Sequence, residues 1–262
     1  MNSQLDATEI VDGDGLETAV KDMYRHVARD ESEELHFEIG RGVAEHVGYS
    51  PELLDAIPAE ALSSFAGVGH HLDIASLREG ADVLDLGSGS GTDVFCAAVL
   101  VGDSGRVVGV DITPEQIHKA EELRDRDGFS SVEFTEAHIE ALPFEDESFD
   151  VVLSNGVINL SPRKGGVFAE AARVLRPGGT LAIADIVSGR ELKERTRRNV
   201  ELWAACIAGA IPREDYLGAI EAAGLQLEAV RGNDYRFVSE RAIDACTTYE
   251  VQSISLRAVK PG

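Results

Sequence analysis

Lysine is almost missing from this chain. Five lysines (21, 119, 164, 193 and 260) occur in 262 residues, so 19 of the 24 basic residues are arginine. Against them stand 47 acidic residues, for a net charge of −23. The richest basic stretch, RELKERTRR (190–198), is too short to track a phosphate backbone, which argues against a nucleic-acid partner. Cysteine is scarce too: three residues, at 96, 206 and 246, are too few and too scattered for a disulfide scaffold. No apolar run reaches about 18 residues, so no membrane span is expected. The N-terminal MNSQLDATEIVDGDG is acidic and has no signal-peptide core. These absences together point to a soluble cytoplasmic protein.

The acids are spread along the whole chain rather than gathered in a tail. A uniformly acidic, lysine-poor surface stays soluble where salt screens its self-repulsion, as in the cytoplasm of a salt-loving microbe. On that reading the protein unfolds more readily at ~0.1 M than at ~2 M KCl, and equal stability at both would exclude it. Hydrophobic residues make up 44% of the chain, enough for one large domain or one domain with an extension.

Residues 1–15 are expected to be flexible. LETAVKDMYRHVARD (16–30) has helical apolar spacing at Leu16, Val20, Met23, Tyr24 and Val27. SPELLDAI (50–57) begins with a serine cap and a first-turn proline. Helix-like pieces broken by GRG, GYSP, IP and AGVG continue to about 74. Strand and helix then alternate. Strands are expected at ADVLDLG, 106–112, 131–137, 149–155 and 180–187, with helices at TDVFCAAVLV, 113–128, 163–175 and 214–224. Such alternation implies a parallel sheet with right-handed crossovers. LQLEAVRG (225–232) and VQSISLRAVK (251–260) can close it with an antiparallel edge.

VLDLGSGSGTD (83–93) carries the chemistry. Gly87, Gly89 and Gly91 allow a sharp turn and a close backbone approach to a ligand. No Lys-Ser/Thr pair follows them, so this is not an ATP loop, and the spacing is not GxGxxG. Asp85 would repel a phosphate but suits a cationic amino group. Asp111, at the end of the next strand and 26 residues on, can accept from both hydroxyls of a ribose. Either acid alone would also suit an ordinary strand-end turn. Together, across one βαβ unit, they fit a ligand with an adenosine end and an amino-acid end: S-adenosylmethionine.

With VVGVDITPEQIHKA, IEALPFEDESFDVV and EAARVLRPGGTLAIAD, the chain resembles the class I S-adenosylmethionine-dependent methyltransferases. GYSPELL (48–54), SNGVINLSP (154–162), WAACIAGAI (203–211) and SISLRAVKP (253–261) narrow the resemblance to the arsenite methyltransferases. It covers roughly residues 20 to 261. The resemblance implies an α/β fold with a Rossmann-like sheet, mostly parallel with an antiparallel C-terminal edge, behind a helical N-terminal extension. It implies a helical cap over 16–74 and a methyltransferase domain over 75–262, with a substrate-side insertion around 188–213. It also implies cofactor contacts from Asp85, Gly87, Gly89, Asp111, Ile112, Ala137, His138, Ile139 and Asn155, with Asn155 under the sulfonium. The family commonly has an acid where His138 stands.

The departures lie on the acceptor side. Trivalent arsenic wants thiolates, and this chain has His70, Val94 and Gly156 at three of the family's cysteine positions. Cys206 is retained. Cys96 is two residues from Val94, and a shift of two along a helix turns a side chain by about 200°, so it should pack as a small hydrophobe. Cys246 matches no thiol motif. His70 and Cys206 are therefore the acceptor-side candidates beside Asn155, with His71 and Tyr24 as further bases or positioners and no metal site expected. The expected function is methyl transfer to a small-molecule acceptor in the manner of the arsenite methyltransferases. The alternatives are a carbon, nitrogen or oxygen acceptor, or cofactor binding without catalysis.

Overall fold

The computed structural model describes residues 5–29, 38–204, 206–238 and 240–262. Seven strands form one sheet: β1 (Asp82–Leu86), β2 (Arg106–Asp111), β3 (Val132–Glu136), β4 (Phe149–Asn155), β5 (Leu175–Val187), β6 (Gln226–Gly232) and β7 (Gln252–Val259). Their order is β3-β2-β1-β4-β5-β7-β6. The first five run parallel, and β7 pairs antiparallel with both β5 and β6. This is the expected Rossmann-like sheet, mostly parallel with an antiparallel C-terminal edge.

The helices are α1 (Gly13–Arg29), α2 (Arg41–His46), α3 (Pro51–Asp55), α4 (Ala59–Ser63), α5 (Thr92–Val101), α6 (Pro114–Asp127), α7 (Lys164–Val174), α8 (Glu194–Arg197), α9 (Val200–Ala204), α10 (Arg213–Ala222) and α11 (Glu240–Tyr249). The central strands β1, β2, β4 and the C-terminal part of β5 are buried on both faces, so they read as continuous apolar runs, whereas the edge strand β6 is largely exposed. Alternation assigns the faces. Val83, Val107, Val151 and Leu153 pack with α2 to α6, whereas Leu84, Leu86, Val108, Val110 and Val152 pack with α7 and α10. A third cluster covers the C-terminal half of β5. Leu16 and Val20 of α1, Trp203, Cys206 and Ile207, and Phe237 pack there against Ala184 and Ile186.

The structure departs from the sequence expectations in three places. Within the stretch expected to be flexible, Ala7 and Val11 are buried, Ala7 N–H donates to the Pro162 carbonyl at 2.8 Å, and α1 starts at Gly13. Residues 1–4 lie outside the described residues, as do 30–37. RPGG, expected to separate helix from strand, is part of β5. It is taken up in a register shift between Phe149 and Val151, where Gly178 at φ 78° donates to the Lys260 carbonyl. The region around Cys246, for which no element was expected, is the helix α11, and Cys246 packs on the third cluster.

Candidate active site

The parallel strands end on one side of the sheet, where α/β folds bind ligands. A cavity of about 340 Å³ opens there. Asp85, Gly87, Gly89, Asp111, Ile112, His138, Ile139 and Asn155 all line it. Ala137 does not, although its N–H pins the segment by donating to the Asp111 carbonyl at 3.1 Å.

The glycine turn is built for close approach. Gly87 sits at φ 73°, and a Cβ there would meet Val157 Cγ2 at 2.4 Å, so the turn and the segment after β4 touch with no room for a side chain. Gly89, at φ 53°, donates its N–H to Asp111 Oδ2 at 2.9 Å. Thr113 N–H donates to Asp111 Oδ1 at 2.8 Å. The Asp111 carboxylate therefore ties the loop after β1 to the end of β2. Burial nonetheless holds its pKa above the ordinary carboxylate value.

Asp85 is 2% exposed, and its Oδ1 has no hydrogen-bond partner. Burial raises its pKa well above normal, and the neighbouring carboxylates of Asp93 and Asp111 raise it further. An unpaired buried acceptor on a cavity wall is a place for a donor from a ligand.

Asn155, at the end of β4, is the hub of a second network. Its Oδ1 accepts from Val68 N–H at 2.8 Å. Its Nδ2 faces three acceptors: the Gly69 carbonyl at 3.0 Å, Asp93 Oδ2 at 3.1 Å and the Tyr49 hydroxyl oxygen at 3.2 Å. Tyr49 in turn donates to Asp93 Oδ1. The loop 65–69 is thus hung on β4, and Phe65, Ala66 and Gly67 form one wall of the cavity. Tyr49 and Asp93 were not singled out in the sequence. Asp93 was visible as the last residue of VLDLGSGSGTD, but no local pattern pairs it with Tyr49, 44 positions away.

His70 and Cys206 stand off the cavity wall. His70 stacks on Tyr49, with ring centroids 4.3 Å apart, and burial lowers its pKa. His71 is fully buried with neither ring nitrogen hydrogen-bonded, and burial lowers its pKa as well. Cys206 lies behind the wall, its Sγ donating to the Gly156 carbonyl at 3.6 Å and 3.9 Å from the Tyr24 hydroxyl. Burial pushes the Cys206 thiol up to about 12. Tyr24 lines the cavity itself. Cys96 is fully buried in the core, as is Val94.

Residues 77–235 match a methyltransferase-domain family. The chain belongs to the class I S-adenosylmethionine-dependent methyltransferases.

Among its relatives in that family, the arsenite methyltransferase of Halobacterium salinarum is 36% identical over 220 residues, covering 83% of this chain and 56% of that protein. A ubiquinone/menaquinone C-methyltransferase of Hahella chejuensis is 33% identical over 154 residues, covering 55% of this chain and 61% of that protein. The arsenic(III) S-adenosylmethionine methyltransferase of Chlamydomonas reinhardtii superposes with a TM-score of 0.64 at 32% identity, covering 86% of this chain and 75% of that one. This methyltransferase is therefore related to the arsenite methyltransferases, and it spans about half the length of the curated ones it matches. It carries three cysteines in all and no typical arsenic-binding set. Among the described residues no group of three His, Cys, Asp or Glu side chains could hold a metal. None of the described helices is long and apolar enough to cross a membrane. The cradle suits the family cofactor, S-adenosylmethionine. A bare carboxylate oxygen awaits a donor at Asp85, a second carboxylate stands at Asp111, and the Gly87 turn brings backbone up to the ligand.

Proposed function

We propose that this methyltransferase acts on a small, uncharged or cationic acceptor with a carbon, nitrogen or oxygen nucleophile, rather than on trivalent arsenic. The observation that carries the reading is the state of Cys206. Of the family's thiol positions it alone keeps its sulfur, and that sulfur is a buried thiol donating to a carbonyl, outside the cavity. A soft metalloid needs several thiolates together. His70 does not replace one, because it packs on Tyr49 away from the wall.

Bound S-adenosylmethionine supplies an activated methyl group on sulfur. Asp85 would accept from the amino group of its methionine end and Asp111 from the ribose, while Ile112, His138 and Ile139 would meet the adenine, with Ala137 fixing their segment. Asn155 closes the methyl end by holding the loop 65–69 in place. With Asp85 and Asp111 turned to the cofactor and Glu17 paired with Lys21 at 2.7 Å, Asp14, Asp93 and Glu140 remain on the cavity wall beside the guanidinium of Arg163. That field disfavours an anionic acceptor. Asp93 lies on the wall beside Asn155, its Oδ2 accepting from Asn155 Nδ2 at 3.1 Å and its Oδ1 from the Tyr49 hydroxyl.

Two outcomes follow. An ammonium against Asp85 restores its ionised form, so binding releases protons from the free protein. S-Adenosylhomocysteine should then bind more weakly as pH falls into the raised titration range of that carboxylate. Calorimetry in buffers of different ionisation enthalpy checks this, and a flat affinity with no proton release as pH rises above the ordinary carboxylate range would contradict it. For the acceptor, S-adenosylhomocysteine formation is followed with phenols, amines, carbon acids and arsenite plus thiol. Turnover is expected in one of the first three classes, and Cys206→Ser should keep it within about threefold, below 1 kcal/mol. Turnover with arsenite alone, abolished by Cys206→Ser, would overturn the proposal.

A further inference from the structure

Asn159 lies outside the cavity and is fully buried. Its N–H donates to Asp185 Oδ2 at 3.0 Å, its carbonyl accepts from Lys164 Nζ at 2.9 Å, and its Nδ2 donates to the Cys206 carbonyl at 3.1 Å. Its Oδ1 is left without a partner. Lys164 is 2% exposed. Its Nζ also donates to the Ser161 carbonyl at 2.8 Å and lies 4.9 Å from the centre of the Trp203 ring. Asp185 is fully buried and accepts from the Tyr216 hydroxyl and from Ile186 N–H, each at 2.7 Å. Burial pulls the pKa of Lys164 down and pushes that of Asp185 up, and each is partly held by the opposite charge of the other.

Lys164 and Asp185 are joined through the Asn159 main chain rather than by direct contact, and buried opposite charges add little stability over an apolar packing of the same volume, so what they contribute is a fixed arrangement. Two features show what is fixed here. Cys206 is one of four described non-glycine residues at positive φ, at 60°, and its carbonyl is the one that Asn159 grips. A residue held in that region persists only where its surroundings over-determine it. The segment gripped from the other side, 156–163, supplies Gly156, Val157, Leu160, Ser161, Pro162 and Arg163 to the cavity wall.

We propose that Asn159, Lys164 and Asp185 are a positioning cluster that clamps the cavity-lining segment 156–163 and the Cys206 turn in register, setting the wall beside the transferred methyl from behind. The proposal rests on the methyltransferase reading of the cavity, but its test reads position without turnover.

The S-adenosylhomocysteine-loaded protein is treated with N-ethylmaleimide, and labelling of Cys206 and Cys96 is followed by peptide mass spectrometry. Cys206 reacts through local opening of its turn, while Cys96 in the core reports general loosening. Asn159→Leu, which removes the side-chain grip and leaves the main-chain bonds, is expected to speed Cys206 labelling about tenfold with Cys96 unchanged. Asp185→Asn, which keeps the shape and strands the Lys164 charge, should speed it further and weaken S-adenosylhomocysteine binding. Unchanged labelling of Cys206 in both variants, or a rise shared equally by Cys96, would overturn the clamp. If the wild-type protein fails to bind S-adenosylhomocysteine, the cofactor reading falls, and the labelling ratio in the unloaded protein still decides the clamp.

Discussion

Asp111→Ala is expected to weaken S-adenosylhomocysteine binding by about 100-fold, the loss of two charge-assisted hydrogen bonds at roughly 1.5 kcal/mol each. The carboxylate does two jobs. Within the protein it accepts from Gly89 and Thr113 N–H, so its removal frees the glycine turn at the point where it meets the ligand. Toward the ligand, each of its oxygens keeps a lone pair for a ribose hydroxyl. Asp111→Asn separates the two. The amide can still accept on one side but turns a donor toward one of the two backbone N–H groups, so about a tenfold loss is expected. Calorimetric affinities equal to wild type in Asp111→Ala would mean that the adenosine end lies elsewhere.

Asn155→Ala should destabilise the fold by about 2–4 kcal/mol, lowering the melting temperature by about 5–10 °C. The side chain joins β4, the loop 65–69, Tyr49 and Asp93, and alanine leaves Val68 N–H and Asp93 Oδ2 buried without their partner. Asn155→Asp keeps the volume but sets a second carboxylate against Asp93, and should be worse than alanine. A thermal melt in which aspartate is tolerated and alanine is silent would show that the network does not hold the loop.

The route from residues to site was open where chemistry is local. The glycines of VLDLGSGSGTD and the acid ending the following strand are constrained within one βαβ unit, so Asp85, Gly87, Gly89 and Asp111 can be read from spacing, and all line the cavity. Tyr49 meets Asp93 only because helix pieces before β1 fold over the strand ends, and no periodicity records that contact. The docking of Ala7 against Pro162 is equally long-range, and an acidic, glycine-containing terminus reads as loose when its few apolar residues are counted alone. Cys206 was visible as a retained thiol. Its protonation and its place behind Gly156 depend on burial and on a positive φ that composition does not encode.

The sharpest test of the acceptor reading is the amount of arsenic that the S-adenosylhomocysteine-loaded protein retains through gel filtration after exposure to arsenite under reducing conditions. No retention above that of a Cys206→Ser control is expected, because the Cys206 sulfur is held as a thiol outside the cavity. One arsenic per chain, lost on Cys206→Ser, would show that thiolates do converge at the methyl end and would contradict the account.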